Sequence, residues 1–98
     1  WGMTDLQGEW KEPTNPKYRC TVHIHPAEEG GYWVEAANLP GACRQGETLE
    51  EALANITEAL EGVIVSYLER DGTIPWEELP QTLEPGTIVR QVIVEIKK

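Results

Sequence analysis

The chain has 98 residues and a mass of 11.0 kDa, room for one small domain with one modest core. Seventeen Asp+Glu against eight Lys+Arg leave a net charge of −9, a field that repels phosphate, argues against direct nucleic-acid binding and favours a basic partner. No apolar run approaches the roughly 18 residues a membrane-spanning helix needs, and two cysteines are too few for a disulfide scaffold.

The first residues are polar and Pro-containing, without a signal-peptide pattern, so a cytoplasmic location is expected. Residues 1–17 carry Pro13 and Pro16 and no periodic apolar pattern, which predicts an N-terminal tail or loosely docked arm, with a single domain over 18–98. From Tyr18 to His25 the residues alternate. Cys20, Val22 and Ile24 fall on one face and Arg19, Thr21, His23 and His25 on the other, as in a half-buried strand. Glu28-Glu29-Gly30-Gly31 predicts a turn whose glycines can take positive φ. A second strand follows from Tyr32 to about Asn38, with Trp33 and Glu35 opposite in parity to Tyr32 and Val34. Leu39-Pro40-Gly41 turns the chain into a short third strand over Ala42–Gln45, completing an antiparallel meander.

Thr48 with Glu51 three residues later has the form of a capping box, and an apolar stripe of helical spacing runs from Leu49 to Leu68. Gly62 interrupts this helix, either for a close approach or as a tolerated defect. Asp71-Gly72 ends it in a left-handed cap. A proline-punctuated connection from Ile74 to Pro85 is expected to hold one helical turn at Trp76–Leu79. The last strand follows Gly86, with Ile88, Val92, Val94 and Ile96 on one face and Val89, Ile93 and Glu95 on the other. The fold class is α+β, in the order β-β-β-α-β, with the last strand expected to pair parallel to a meander strand by a right-handed crossover.

The segment Glu28–Asn55, EEGGYWVEAANLPGACRQGETLEEALAN, resembles the HicB antitoxin family. A Gly-Gly-Tyr strand start, a Leu-Pro-Gly turn, a Gln-Gly-Glu-Thr step and a Leu-Glu-Glu-Ala-Leu helix start occur in the family's order and spacing, within a likeness covering about residues 18–74. The resemblance implies a partly degraded ribonuclease-H-like fold. It also implies an antitoxin of a type II toxin-antitoxin system, one that binds HicA, a small basic toxin cleaving mRNA, and covers its catalytic face. Many family members add a helix-turn-helix or ribbon-helix-helix segment after the core. Here the core is followed by one strand, so no DNA-binding role is expected. The alternative is a stand-alone homo-oligomeric structural or regulatory domain without a toxin.

A nuclease would need several carboxylates converging on Mg²⁺. The first strand has no acid, and Glu50 or Glu51 with Glu95 supply only part of such a cluster. Cys20, His23, His25 and Cys43 include metal-ligand types, but strand parity separates Cys20 from the histidines. A two-His site at positions 23 and 25 is the alternative to ordinary strand-surface histidines. Cys43 has no base beside it in sequence, and no glycine loop precedes the helix to cradle phosphate. No catalytic residue, metal or cofactor is therefore expected. The predicted toxin-binding residues are Glu47, Glu50, Glu51 and Glu58 on an acidic surface, with Trp33 as an exposed anchor. Val89 and Ile93, apolar on the second face of the last strand, are the expected subunit contacts of a homodimer or higher homo-oligomer.

Overall fold

Every second residue from Cys20 to Ile24 is apolar, and in the computed structural model these side chains form the floor of the core, fully buried beneath one long helix. The structure describes residues 3, 4, 10 and 11 and residues 15–96. In chain order the strands are β1 (Met3–Thr4), β2 (Trp10–Lys11), β3 (Lys17–Pro26), β4 (Tyr32–Ala36) and β5 (Cys43–Gly46); then come helix α1 (Leu49–Asp71) and strand β6 (Ile88–Glu95). β1 and β2 pair antiparallel with each other. Of the tail expected over 1–17, residues 1, 2, 5–9 and 12–14 lie outside the described residues. Pro16 O accepts from Ile96 N at 2.9 Å, and Lys17 opens β3.

The main sheet has the order β5-β4-β3-β6. Registers such as Ile24↔Val34 and Tyr32↔Gly46 confirm the antiparallel meander. β4 stops at Ala36, earlier than Asn38, because the Asn38 side chain accepts from Thr21 N at 3.2 Å and so takes the amide that a further ladder residue would have used. Gly30 and Gly31, at φ 103° and 78°, make the turn between β3 and β4 as expected.

α1 has Thr48 as its N-cap, with Thr48 Oγ1 accepting from Glu51 N at 3.1 Å. Gly72 closes it in the left-handed region, its N–H donating to Leu68 O. Ala52, Ile56, Leu60 and Ile64 of its apolar stripe meet Val22, Ile24, Val34 and Val94 of the sheet. The cap and the stripe together explain why a single helix of this length is stable here.

β-β-β-α-β is the observed order, but β6 pairs antiparallel to β3, with Ile24↔Ile88 and Lys17↔Glu95, and not parallel to a meander strand. The direction follows from the connection. A strand starting where α1 ends would run parallel to β3. Residues 72–87 instead first dock at that end, where Glu77 N donates to Asn38 O at 2.9 Å and Trp76 packs on Tyr18 at 6.3 Å, and then return the length of the sheet to Ile88. No helical turn forms at Trp76–Leu79; that stretch has no regular structure, its amide at Glu77 being committed to the tertiary bond with Asn38.

Two glycines test the packing in opposite directions. A Cβ on Gly46 would stand 2.7 Å from Ala52 Cα and 2.9 Å from Glu51 C, both backbone atoms that cannot rotate away. A Cβ on Gly62 would meet nothing within 4 Å. In denaturant unfolding, Gly46→Ala is expected to cost about 3 kcal/mol or more, at the upper end of overpacking penalties. Gly62→Ala is expected to add about 1 kcal/mol, the helix-propensity difference.

Candidate functional site: an acidic cleft beside Trp33

The close seat of α1 on Gly46 brings the helix start against the β3–β4 turn, because Gly46 is also the register partner of Tyr32. Between them lies an open cleft of about 890 Å³, lined by Glu28 and Glu29 of the turn, Tyr32 and Trp33 of β4, Gln45 and Gly46 of β5, and Glu47 and Glu51 at the start of the helix. Its walls carry carboxylates from three chain segments and, among the described residues, no Lys or Arg. The turn that supplies Glu28 and Glu29 is held by Ala27 N donating to Gly31 O at 3.0 Å and Gly30 N donating to Ala27 O at 3.1 Å.

Trp33 is 36% exposed, as its parity predicted. It stacks on the His25 ring with centroids 4.2 Å apart and planes 21° from parallel. His25 is itself held on both sides. Its Nε2 donates to Glu35 Oε2 at 2.9 Å, and its Nδ1 lies 3.4 Å from the Thr87 hydroxyl. Side chains from β3 and β4 and from the residue preceding β6 thus brace the indole, so Trp33 presents a fixed aromatic surface at the rim of the cleft.

Of the acids singled out from sequence, Glu47 and Glu51 join Trp33 in this cleft. Glu50 is exposed on the same first helical turn but does not line it. Glu58 lies elsewhere, in a groove between α1 and β5 that it shares with Arg44 and Arg70. Glu28 and Glu29, read from sequence only as turn residues, belong to the cleft. Their signal was the acidic pair directly preceding a Gly-Gly turn into the strand that bears Trp33. The bond from His25 to Glu35 required the strand register to find, since it crosses from one row of the ladder to the next.

Cys20 is buried on the core face and His23 and His25 lie on the other, as parity required. Among the described residues no group of three or more His, Cys, Asp or Glu side chains comes together to hold a metal ion. Val89 and Ile93 are 42% and 53% exposed on the face away from the helix. Among the described residues no helix is long and apolar enough to cross a membrane.

Comparison with known proteins supplies the context. Residues 20–90 match the family described as HicB_like antitoxin of bacterial toxin-antitoxin system. The chain is 38% identical over 69 residues to UPF0150 protein ssl0738 of Synechocystis sp., covering 68% of this chain and 94% of that protein. It is 42% identical over 57 residues to Antitoxin HicB 1 of Photorhabdus laumondii, covering 58% of this chain and 37% of that protein. With Antitoxin HicB of Escherichia coli K12 it shares 40% over 57 residues, covering 58% of this chain and 41% of that protein. No solved structure gives a significant match.

The two thiols differ sharply in environment. Cys43 is exposed, whereas Cys20 is fully buried and burial pushes its thiol pKa up. A thiol reagent at neutral pH is expected to modify Cys43 alone in the native chain, and Cys20 only after unfolding. Fast reaction of both thiols in the folded protein would contradict the core described above.

Proposed function

The chain belongs to the HicB-like antitoxin family, and from that premise we propose that it neutralises a small basic, HicA-like, mRNA-cleaving toxin in the cytoplasm. It does so by stoichiometric binding, without turnover. The observation that carries this reading is the cleft in which Glu28, Glu29, Glu47 and Glu51 stand beside Trp33 with no cationic side chain among the described residues of its walls. Carboxylates crowded at one end of a chain of net charge −9 create a potential that draws in a basic surface. The braced indole of Trp33 then offers an aromatic face on which an Arg or Lys side chain can stack.

Occlusion of this kind needs no reaction. A basic toxin uses its cationic face to hold RNA phosphates, so a protein carboxylate surface on that face excludes the substrate by competing for the same charges. Glu50, exposed beside the cleft, adds to the field. Glu58, sharing its groove with two arginines, contributes only to the net charge. A second reading, a free-standing homo-oligomeric domain without a toxin, is favoured by one fact. The chain covers 94% of UPF0150 protein ssl0738 but 41% of the Escherichia coli antitoxin.

Co-expression with any small basic protein found encoded beside it, followed by co-purification, tests the proposal. Because exposed charges act mainly on encounter, the association rate is expected to fall steeply with salt. The double charge reversal Glu47→Lys with Glu51→Lys should slow it by about tenfold at low salt while the dissociation rate changes less. A folded chain that never binds its operon neighbour removes the antitoxin reading.

A further inference from the structure

The two edges of the sheet are unlike. β5 is four residues long, and at Gln45 its carbonyl accepts a hydrogen bond from the Asn55 side chain at 2.7 Å, so the helix partly closes that edge. β6 is eight residues long, IVRQVIVE, with no Pro, Lys or Gly. Among the described residues no backbone hydrogen bond joins its outer side to another segment. Edge strands of this length are ordinarily blunted by Pro, Lys or a bulge, because an unpaired row of N–H and C=O groups is a template for another strand. α1 packs more extensively on β5 than on β6. Val89 and Ile93 remain exposed on the opposite face.

We propose that β6 pairs antiparallel with β6 of a second copy of this chain, across a two-fold axis centred on Gln91, so that two four-stranded sheets become one continuous sheet. The register follows from the residues. Strands related by such an axis place opposed residues on the same face, so opposed residue numbers differ by an even number. Centring on Gln91 sets Val89 against Ile93 of the second copy, Gln91 against Gln91 and Ile88 against Val94. On the exposed face apolar residues then meet apolar ones and the amides meet each other, while on the other face Arg90 stands opposite Val92. Centring on Arg90 opposes two guanidinium groups. Centring on Val92 sets Val89 against Glu95, and centring on Ile93 leaves Val89 without an opposite residue in the strand. This is the self-complementary arrangement expected of a two-fold interface.

Two chains of net charge −9 repel each other, so contacts independent of charge must hold them together. A ladder from Ile88 to Val94 supplies backbone hydrogen bonds in the range of an ordinary interface, about 10 ± 5. It buries less than the roughly 800 Å² per partner of a standard one, so dissociation in the micromolar range is expected. The proposal does not depend on the toxin reading.

Cysteine cross-linking in a Cys43→Ser background tests both partner and register, because Cys20 is buried out of reach. Opposed Cα atoms in an antiparallel pair are about 4.5–5.5 Å apart, within disulfide range. Gln91→Cys is therefore expected to oxidise to a covalent dimer. Val89→Cys and Ile93→Cys should each fail alone, because each lies about 13 Å from its own copy, four residues along the strand. The two mixed together should cross-link. Ile93→Glu, at a position already exposed, is expected to leave the circular dichroism unchanged and to weaken the dimer at least tenfold by sedimentation. A wild-type chain that stays monomeric at high micromolar concentration overturns the proposal. So does a dimer that survives Ile93→Glu, or in which Gln91→Cys does not cross-link, the latter outcome pointing to packing of sheet faces instead.

Discussion

One close contact organises this molecule: the backbone of the first turn of α1 lies directly on Gly46, at a distance no side chain would allow. Gly46 is at once the last residue of β5, the register partner of Tyr32 and two residues from the Thr48 cap. Its missing side chain therefore fixes the height of the helix over the sheet. From that height the apolar stripe of α1 meets Val22, Ile24 and Val34, and the carboxylates of Glu47 and Glu51 come level with the turn that bears Glu28 and Glu29. The same contact that closes the core also builds the acidic cleft, so neither can change without the other.

The sheet divides its labour by parity. Even-numbered residues of β3 are spent on the core, and odd-numbered ones carry His23, His25 and, across the ladder, Trp33, Val89 and Ile93. On this second face the polar groups satisfy one another, with His25 bridging Glu35 and Thr87 while its ring supports Trp33. An exposed tryptophan with its orientation fixed in advance loses little entropy on meeting a partner, which is what distinguishes an anchor from a loose apolar side chain.

Local chemistry was legible in the sequence where it is local in cause. The alternation through Cys20, Val22 and Ile24, the positive φ at Gly30 and Gly31, the Thr48 cap and the Gly72 terminator all follow from residues within a few positions of one another. The direction of β6 did not, because it depends on whether residues 72–87 double back. That choice is made by contacts at long range, the amide of Glu77 on Asn38 and Trp76 on Tyr18. One helical turn was expected at Trp76–Leu79, but the tertiary bond took precedence over local propensity. The candidate site was half visible for the same reason. Glu47, Glu51 and Trp33 could be named from pattern, whereas Glu28 and Glu29 enter, and Glu58 leaves, only once the helix is set on the sheet.

The sheet order also keeps the two surfaces apart. The cleft is built on the β3–β4 turn and the end of β5, while the unpaired edge is β6, about three strand spacings or 14 Å across the sheet from β5. A second copy added along β6 would leave both clefts open, so pairing and capture of a basic partner do not compete for the same residues. Their electrostatics are opposite in sign. Added salt screens the attraction between the acidic cleft and a cationic partner, and it equally screens the repulsion between two chains that each carry −9. A chain this acidic can therefore associate with itself only through uncharged contacts, which is the character of Val89, Gln91 and Ile93. Four of its seventeen acids line the cleft, where a partner of opposite charge could use them.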